Sequence, residues 1–438
     1  MKPVSIGLLG LGTVGGGTVN VLSRNQGEIS RRAGRGIQVV SACVRNMSQG
    51  RICATDGIRL GTDPWLVVND AEVEVVVELM GGTEPARELV LAAIASGKHV
   101  VTANKALIAL HGNEIFKAAQ SAGVTVAFEA AVAGGIPIIK AIREGLAGNR
   151  IEWLAGIING TGNYILTAMR EEGRAFDDVL AEAQALGYAE EDPAFDVDGI
   201  DAAHKLAILG SIAFGKPLEF DKLTIEGIRP ITQLDVQFAE QLGYRIKHLG
   251  IARRREDGVE LRVHPTLIPE RCLLAAVNGV MNAVLVKADA VGPTMYYGAG
   301  AGAEATASAV AADLVDVVRA LTTDPGNRVP HLAFQPEALS DVPVLDASEI
   351  ESAYYLRMTA GDQPGVLAEV AGMLGRRGIS IEAVVQKEPE PGATRVPLIM
   401  LTHRVREGLV IDAINEIEAS PHIGEQVMRL RVETLDGA

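Results

Sequence analysis

Asp201 and Lys205 stand four residues apart at the end of a stretch, residues 187–205, that carries six carboxylates: Glu190, Glu191, Asp192, Asp196, Asp198 and Asp201. On a helix over residues 200–214, which the composition allows, both side chains leave one face. A carboxylate beside a lysine in a pocket can seat a substrate ammonium and deliver a proton. The same spacing also suits a surface acidic loop followed by an ordinary ion pair, worth about 0.3 kcal/mol. The spacing alone does not choose between them. Two other readings of the cluster are weaker. A calcium loop needs glycine at its sixth position and Glu at its twelfth, whereas Gly199 is fourth from Asp196. His204 adjoins Lys205 but points about 100° away on a helix, so it reads as a packing or capping residue.

Such a site needs elements to hold it, and the chain has material for them. It has 438 residues, 48% of them apolar, and 48 glycines, the profile of an α/β enzyme of several domains with many tight turns. The net charge of −15 argues against nucleic acid, which needs a basic field. Cys43, Cys53 and Cys272 form neither a metal-ligand spacing nor a disulfide framework, so a reducing compartment is expected. No signal peptide is expected, and no apolar run is long enough to span a membrane. The expected location is the cytoplasm.

Residues 4–9 read as a buried strand. Gly10-Leu-Gly12-Thr13-Val14-Gly15 follows, then a helical stretch to about residue 23. Strand, glycine turn and helix in that order are the context for a dinucleotide site. Gly10 permits the turn, Gly12 lets a pyrophosphate approach the backbone, and Gly15 lets helix and strand pack closely. The phosphates sit on the helix N-terminus. A second strand, residues 37–44, ends at Arg45, with Arg51 close behind, rather than at the acid that accepts from a ribose hydroxyl. Arginine pairs with a 2′-phosphate, so NADP(H) is preferred and NAD(H) remains possible. Strands follow at 73–79 and 98–102, the second ending in Thr102-Ala-Asn-Lys105, and again at 124–129. Ligands bind at the carboxyl ends of such strands, which directs Lys105 toward the nicotinamide end. Beyond them, Asn159-Gly160-Thr161-Gly162-Asn163-Tyr164 is a polar glycine turn between strand and helix, able to hold a carboxylate or phosphate.

These motifs, with Gly134-Gly135-Ile136-Pro137 and residues 187–205, follow one another as in homoserine dehydrogenases, and the chain resembles that family over nearly its whole length. It resembles the monofunctional form, with no aspartokinase module in front. The resemblance implies NAD(P)H-dependent reduction of L-aspartate 4-semialdehyde to L-homoserine, on the route to threonine and methionine. It implies Lys205 as proton donor, Lys105 near nicotinamide and substrate, and Asp201 and Glu190 as substrate-binding. It also implies cofactor contacts at Gly187, Glu190 and Gly302 and a sodium site at Glu129, Val132, Gly134 and Ile136. With the glycine turn, the cofactor set is Gly10, Gly12, Thr13, Val14, Gly15, Arg45, Thr102, Lys105, Gly187, Glu190 and Gly302. Asp196 and Thr161 complete the substrate set. Hydride addition to an aldehyde builds an alkoxide, which an ammonium can stabilise and protonate. Lys105 and Lys205 could lower each other's pKa, and sequence leaves open which of them protonates.

Alternating runs at 244–251 and 259–263 suit a mixed sheet. A further strand is expected at 277–286 and a strong helix at 303–320. After a proline-bearing stretch the pattern restarts as βαββαβ, a ferredoxin-like module, whose Asp362-Gln-Pro364-Gly365-Val-Leu367 opening resembles an ACT domain. The implied effector is threonine, and the paired interface usual for ACT units leads us to expect a homodimer or homotetramer. The expected fold is α/β: a Rossmann domain (1–135, completed by a returning helix near 303–321), an α+β catalytic and dimerisation domain (136–302), a linker (322–349) and an ACT domain (353–434). Two other functions fit fewer of the motifs: a dehydrogenase of another amino acid such as aspartate, and a non-catalytic NADP-sensing regulator.

Overall fold

The computed structural model describes residues 2–387, 394–424 and 426–435. It divides into two compact units. One takes residues up to 160, 201–223 and 280–342; the other takes 161–200, 224–279 and 343 onward.

In the first unit, six parallel strands form a sheet in the order Arg59–Gly61, Ile37–Cys43, Val4–Leu9, Val75–Glu78, His99–Thr102, Val126–Ala127. The strand order reverses beside Val4–Leu9, the switch point at which dinucleotides bind. Val4–Leu9 is apolar and buried throughout, as a central parallel strand must be. The Thr13–Arg24 helix follows it directly. The late Ala303–Ala320 helix joins the same core, where Ala307, Val310, Leu314 and Val317 pack with Val19 and Leu22. Gly17 admits it, since a Cβ there would stand 2.5 Å from Ala303 O. Arg24 clamps Glu304 through two hydrogen bonds of 2.7 and 3.0 Å.

Also in this unit, Ile151–Ile157, Met281–Ala288 and Gly292–Ala299 form an antiparallel ladder. The Ile200–Phe214 helix is buried from Asp201 to its end. A helix apolar on all sides belongs in a core, so its few polar residues stand out. Residues 325–339 wrap beside the Lys105–Ala122 helix, where His331 stacks on Phe116 at 4.8 Å and accepts from Val126 N at 3.2 Å. With residues 113–125 they line a cavity of about 700 Å³.

In the second unit, Tyr244–Arg254 and Val259–Pro269 pair along their full length. Met428–Val432 lies parallel to Val259–Pro269 and antiparallel to Glu351–Gly361, which pairs in turn with Arg395–Thr402 and then Ile381–Gln386. With the Val366–Arg376 and Glu407–Glu418 helices this is the expected βαββαβ module.

Two expected strands depart from their apolar runs for a visible reason. The run at 124–129 keeps only Val126–Ala127 in the sheet and turns into a 3-10 helix at Glu129–Ala131. The Glu129 carboxylate accepts from Ile139 N and Lys140 N at 2.9 and 2.8 Å, which fastens it to the next helix start. The run at 277–286 becomes a strand only at Met281, because Val277–Gly279 is tied to the Gly160–Glu172 helix instead.

Candidate active site

Asp201 opens the Ile200–Phe214 helix with only 3% of its surface exposed. Lys205, one turn on, meets its Oδ2 at 2.7 Å. The i,i+4 pair is therefore internal, not the surface pair that spacing alone allowed. Lys105 reaches the other oxygen, Oδ1, also at 2.7 Å. Lys105 begins the Lys105–Ala122 helix just past the carboxyl end of His99–Thr102, and Asn104 caps that helix by accepting from Leu107 N at 3.0 Å. Asn159 Nδ2 donates to Asp201 Oδ2 at 2.8 Å, and Lys205 Nζ donates to Ile158 O at 2.7 Å.

Burial pushes the Asp201 carboxyl up, but the ammonium groups of Lys205 and Lys105 outweigh it and hold the acid well below the usual carboxylate range. One carboxylate between two ammonium groups leaves the cluster net positive. The two lysines, which the sequence leaves free to act on each other directly, have an anion between them. His204 turns away and stacks on Phe220 at 4.5 Å. Burial lowers its pKa to about 4, so it stays a neutral packing residue.

The glycine turn behaves as its spacing requires. Gly10 has φ +106, and a Cβ there would stand 2.8 Å from Leu79 O. Gly15 lies so close to Gly10 that a Cβ would come within 2.3 Å of Gly10 O, while a Cβ on Gly12 would meet nothing within 4 Å. The backbone at Gly12 is thus open to a ligand, at the N-terminus of the Thr13–Arg24 helix. Thr13 is exposed there and Val14 half-buried. Arg45 is exposed two residues beyond Ile37–Cys43. Thr102 is buried; its hydroxyl donates to Glu78 Oε2 at 2.6 Å and accepts from Asn104 N at 3.0 Å. Gly302, with φ +123, precedes the Ala303–Ala320 helix.

In the second unit, Gly187 has φ +75 and Glu190 is exposed. Gln184 donates to the carbonyls of Glu190 and Glu191 at 3.0 and 3.1 Å. Asp196 is half-buried on the Ala194–Val197 turn, and Asp198 pairs with Arg229 at 2.5 Å. Thr161 Oγ1 donates to Tyr188 O at 2.6 Å.

The turn at 129–136 contains two successive left-handed residues, Ala133 (φ 55) and Gly134 (φ 43). Val132 and Ile136 are buried in it.

Sequence reasoning did not name Glu78, or Asn159 and Ile158 O as Asp201 and Lys205 partners. Glu78 has a legible trace, an acid closing an all-valine strand. It is fully buried, and burial raises its pKa although Thr102 and Met80 N donate to it.

A family model described as the NAD-binding domain of homoserine dehydrogenase matches residues 10–129, one described as homoserine dehydrogenase matches 137–315, and an ACT model matches 354–419. The homoserine dehydrogenase of Pseudomonas aeruginosa is 65% identical over 436 residues, covering 100% of both chains. A crystal structure of the enzyme from Thiobacillus denitrificans has a TM-score of 0.94 and 63% identity, covering 99% of each chain. A hyperthermophilic archaeal homoserine dehydrogenase solved with NADPH has a TM-score of 0.61 and 27% identity, covering 72% of this chain and 98% of that one. The open glycine turn agrees with a nicotinamide dinucleotide as cofactor. With matches over the dinucleotide fold, the lysine–aspartate helix and the C-terminal module, the chain belongs to the homoserine dehydrogenases, oxidoreductases whose known reaction is the reduction of aspartate semialdehyde.

Proposed function

We propose that Lys205 protonates the alkoxide formed from aspartate semialdehyde, with Asp201 and Lys105 setting its position and charge. The observation that carries this is the Lys105–Asp201–Lys205 bridge, closed at 2.7 Å on both sides. A bound nicotinamide cofactor supplies the hydride. Negative charge then develops on the aldehyde oxygen, which the net positive cluster stabilises. Lys205, fixed by Asp201 and Ile158 O, is the better-positioned acid; the half-buried Lys105 adds charge. Asp201 already receives three donors, so it acts mainly through the lysines, and Glu190 and Asp196 supply the carboxylates for the substrate ammonium, with Thr161 beside them. In Lys205→Ala, kcat for aspartate semialdehyde reduction falls by roughly 10²–10⁴. Undiminished turnover would sink the mechanism.

The cofactor is held by Gly10, Gly12, Thr13, Val14, Gly15, Thr102, Lys105, Gly187, Glu190 and Gly302, with Arg45 on the 2′-phosphate, so NADPH is preferred. Arg45→Ala raises KM for NADPH roughly tenfold and leaves KM for NADH nearly unchanged; equal effects on both refute this assignment. A sodium ion is held at the 129–136 turn through Glu129, Val132, Gly134 and Ile136, a reading that rests on the family resemblance. Two buried acids stand at this turn, with Glu129 N donating to Asp313 Oδ2 at 2.8 Å. The ACT module binds threonine and the chain works as a homodimer or homotetramer, readings that rest on the module's family. We read the functional domains as 1–135 with 303–321, 136–302, a 322–349 linker and 353–434, a division by family resemblance rather than by compact unit. Three free thiols suit the cytoplasm.

A further inference from the structure

Lys247 lies on the Tyr244–Arg254 strand with 2% of its surface exposed, and no step of the proposed reaction uses it. Its Nζ donates to Val277 O at 2.5 Å, Asn278 Oδ1 at 3.2 Å and Asn163 Oδ1 at 3.3 Å. All three acceptors are neutral, and among the described residues Lys247 makes no ion pair. A lysine buried with no carboxylate in contact, and only the more distant Glu171 favouring its charge, is costly, so its retention calls for a local reason. Burial, with the guanidinium of Arg170 next in weight, lowers its pKa to about 7.

The acceptors show what the ammonium joins. Asn163 Nδ2 donates to Val277 O and Gly279 O at 3.1 and 2.8 Å. Thr167 Oγ1 accepts from Gly279 N at 3.1 Å, and Arg170 donates to Asn278 Oδ1 at 3.4 Å. Asn163, Thr167 and Arg170 lie at i, i+4 and i+7, so one face of the Gly160–Glu172 helix is stapled to residues 277–279. Lys247 sits at the centre of that staple. Two residues before Asn163, Thr161 holds the Tyr188 carbonyl. Tyr164 meets the Tyr188 ring edge-on at 5.1 Å. The segment carrying Gly187 and Glu190 is therefore hung on the first turn of this helix.

We infer that Lys247 is a positioning residue: by pinning Asn163 and residues 277–279 it fixes the first turn of the Gly160–Glu172 helix, and through Thr161 the segment that presents Glu190. The inference rests on the reading above that Thr161 and Glu190 serve the substrate. Full-length Lys247→Met keeps the aliphatic stem and loses the donors. Its KM for aspartate semialdehyde rises about tenfold, the size of one buried hydrogen bond; KM for NADPH, which Gly187 and Glu190 share with the glycine turn, rises by less, and kcat stays within about twofold. Amide hydrogen exchange at residues 187–191 quickens by a similar factor. A folded Lys247→Met with exchange and semialdehyde KM both unchanged overturns the inference. If that variant does not fold, Asn278→Ala, which removes one acceptor, replaces it; there faster exchange at 187–191 supports the inference and unchanged exchange overturns it. Glu190→Gln separates the two ideas. If it leaves the semialdehyde KM unchanged, the substrate reading fails, and the exchange data alone judge Lys247. If it raises that KM and Lys247→Met does not, the positioning role is overturned.

Discussion

Asp201 is the residue on which the cluster turns, because each of its oxygens faces a different lysine. Its pKa is depressed, so it stays ionised near neutral pH. Asp201→Asn keeps the shape and removes the anion, leaving two ammonium groups facing each other in a buried site. Its kcat falls about a hundredfold or more while NADPH binding changes little, which single-turnover kinetics and a cofactor titration will read separately. A fall in cofactor affinity of the same size would mean that Asp201 serves the dinucleotide instead. At this scale the sequence is informative about side chains four apart on one helix. It is silent on Ile158 O, since a main-chain carbonyl has no signature, and it placed Asn159 in a polar glycine turn without joining it to Asp201, 42 positions away and close only in the fold.

Among the elements, the glycine turn makes the sharpest distinction. Gly12→Ala adds a methyl group to open space, whereas Gly15→Ala drives one against Gly10 O. The first variant therefore melts like the wild type and loses cofactor affinity, and the second loses about 1–3 kcal/mol of stability. Thermal melts with and without NADPH distinguish the two, and a Gly12→Ala protein that binds NADPH normally would remove Gly12 from the site. Elements with a single environment were legible. The helices expected at 200–214 and 303–320 occur at Ile200–Phe214 and Ala303–Ala320, because their apolar residues face a core on most sides. The run at 124–129 was not, because the Glu129 carboxylate caps a helix ten residues downstream, a contact that local periodicity does not record.

Over the whole molecule, charge is buried where the C-terminal module meets the rest of its own unit. Glu433 accepts from Arg253 at 2.9 Å and from Arg262 at 2.5 Å. Glu226 and Glu407 are shared by Arg429 and Arg431, at 2.5 to 2.8 Å. Burial raises the Glu433 carboxyl, but Arg262 and Arg253 more than offset it and hold its pKa near 2, below the ordinary 4.5. A depressed folded pKa contributes stability above the unfolded value and loses it as pH falls through the folded one. The contribution is thus complete above about pH 4.5 and fades toward about pH 2. Glu433→Gln costs about 3–5 kcal/mol near neutrality, because two guanidinium groups lose their partner, and its melting temperature is flatter across that acid window. Denaturant melts at neutral pH and pH 3 check both; a variant as stable as the wild type near neutrality would show the cluster to be energetically idle. The ferredoxin-like module was legible from its repeat of strands and helices, but these ion pairs were not, because they join residues up to about two hundred positions apart.

The last strand, Met428–Val432, is wedged between Val259–Pro269 on one side and Glu351–Gly361 on the other. It follows both neighbours in the chain, yet both depend on it to pair their edges. While the chain is still emerging from the ribosome, those two edges are exposed and unpaired, and such edges recruit other chains. The sheet of the second unit closes only after synthesis has passed residue 432. A chain stopped short of residue 428 therefore has open sheet edges rather than a missing tail, and protein quality control would treat it as aggregation-prone.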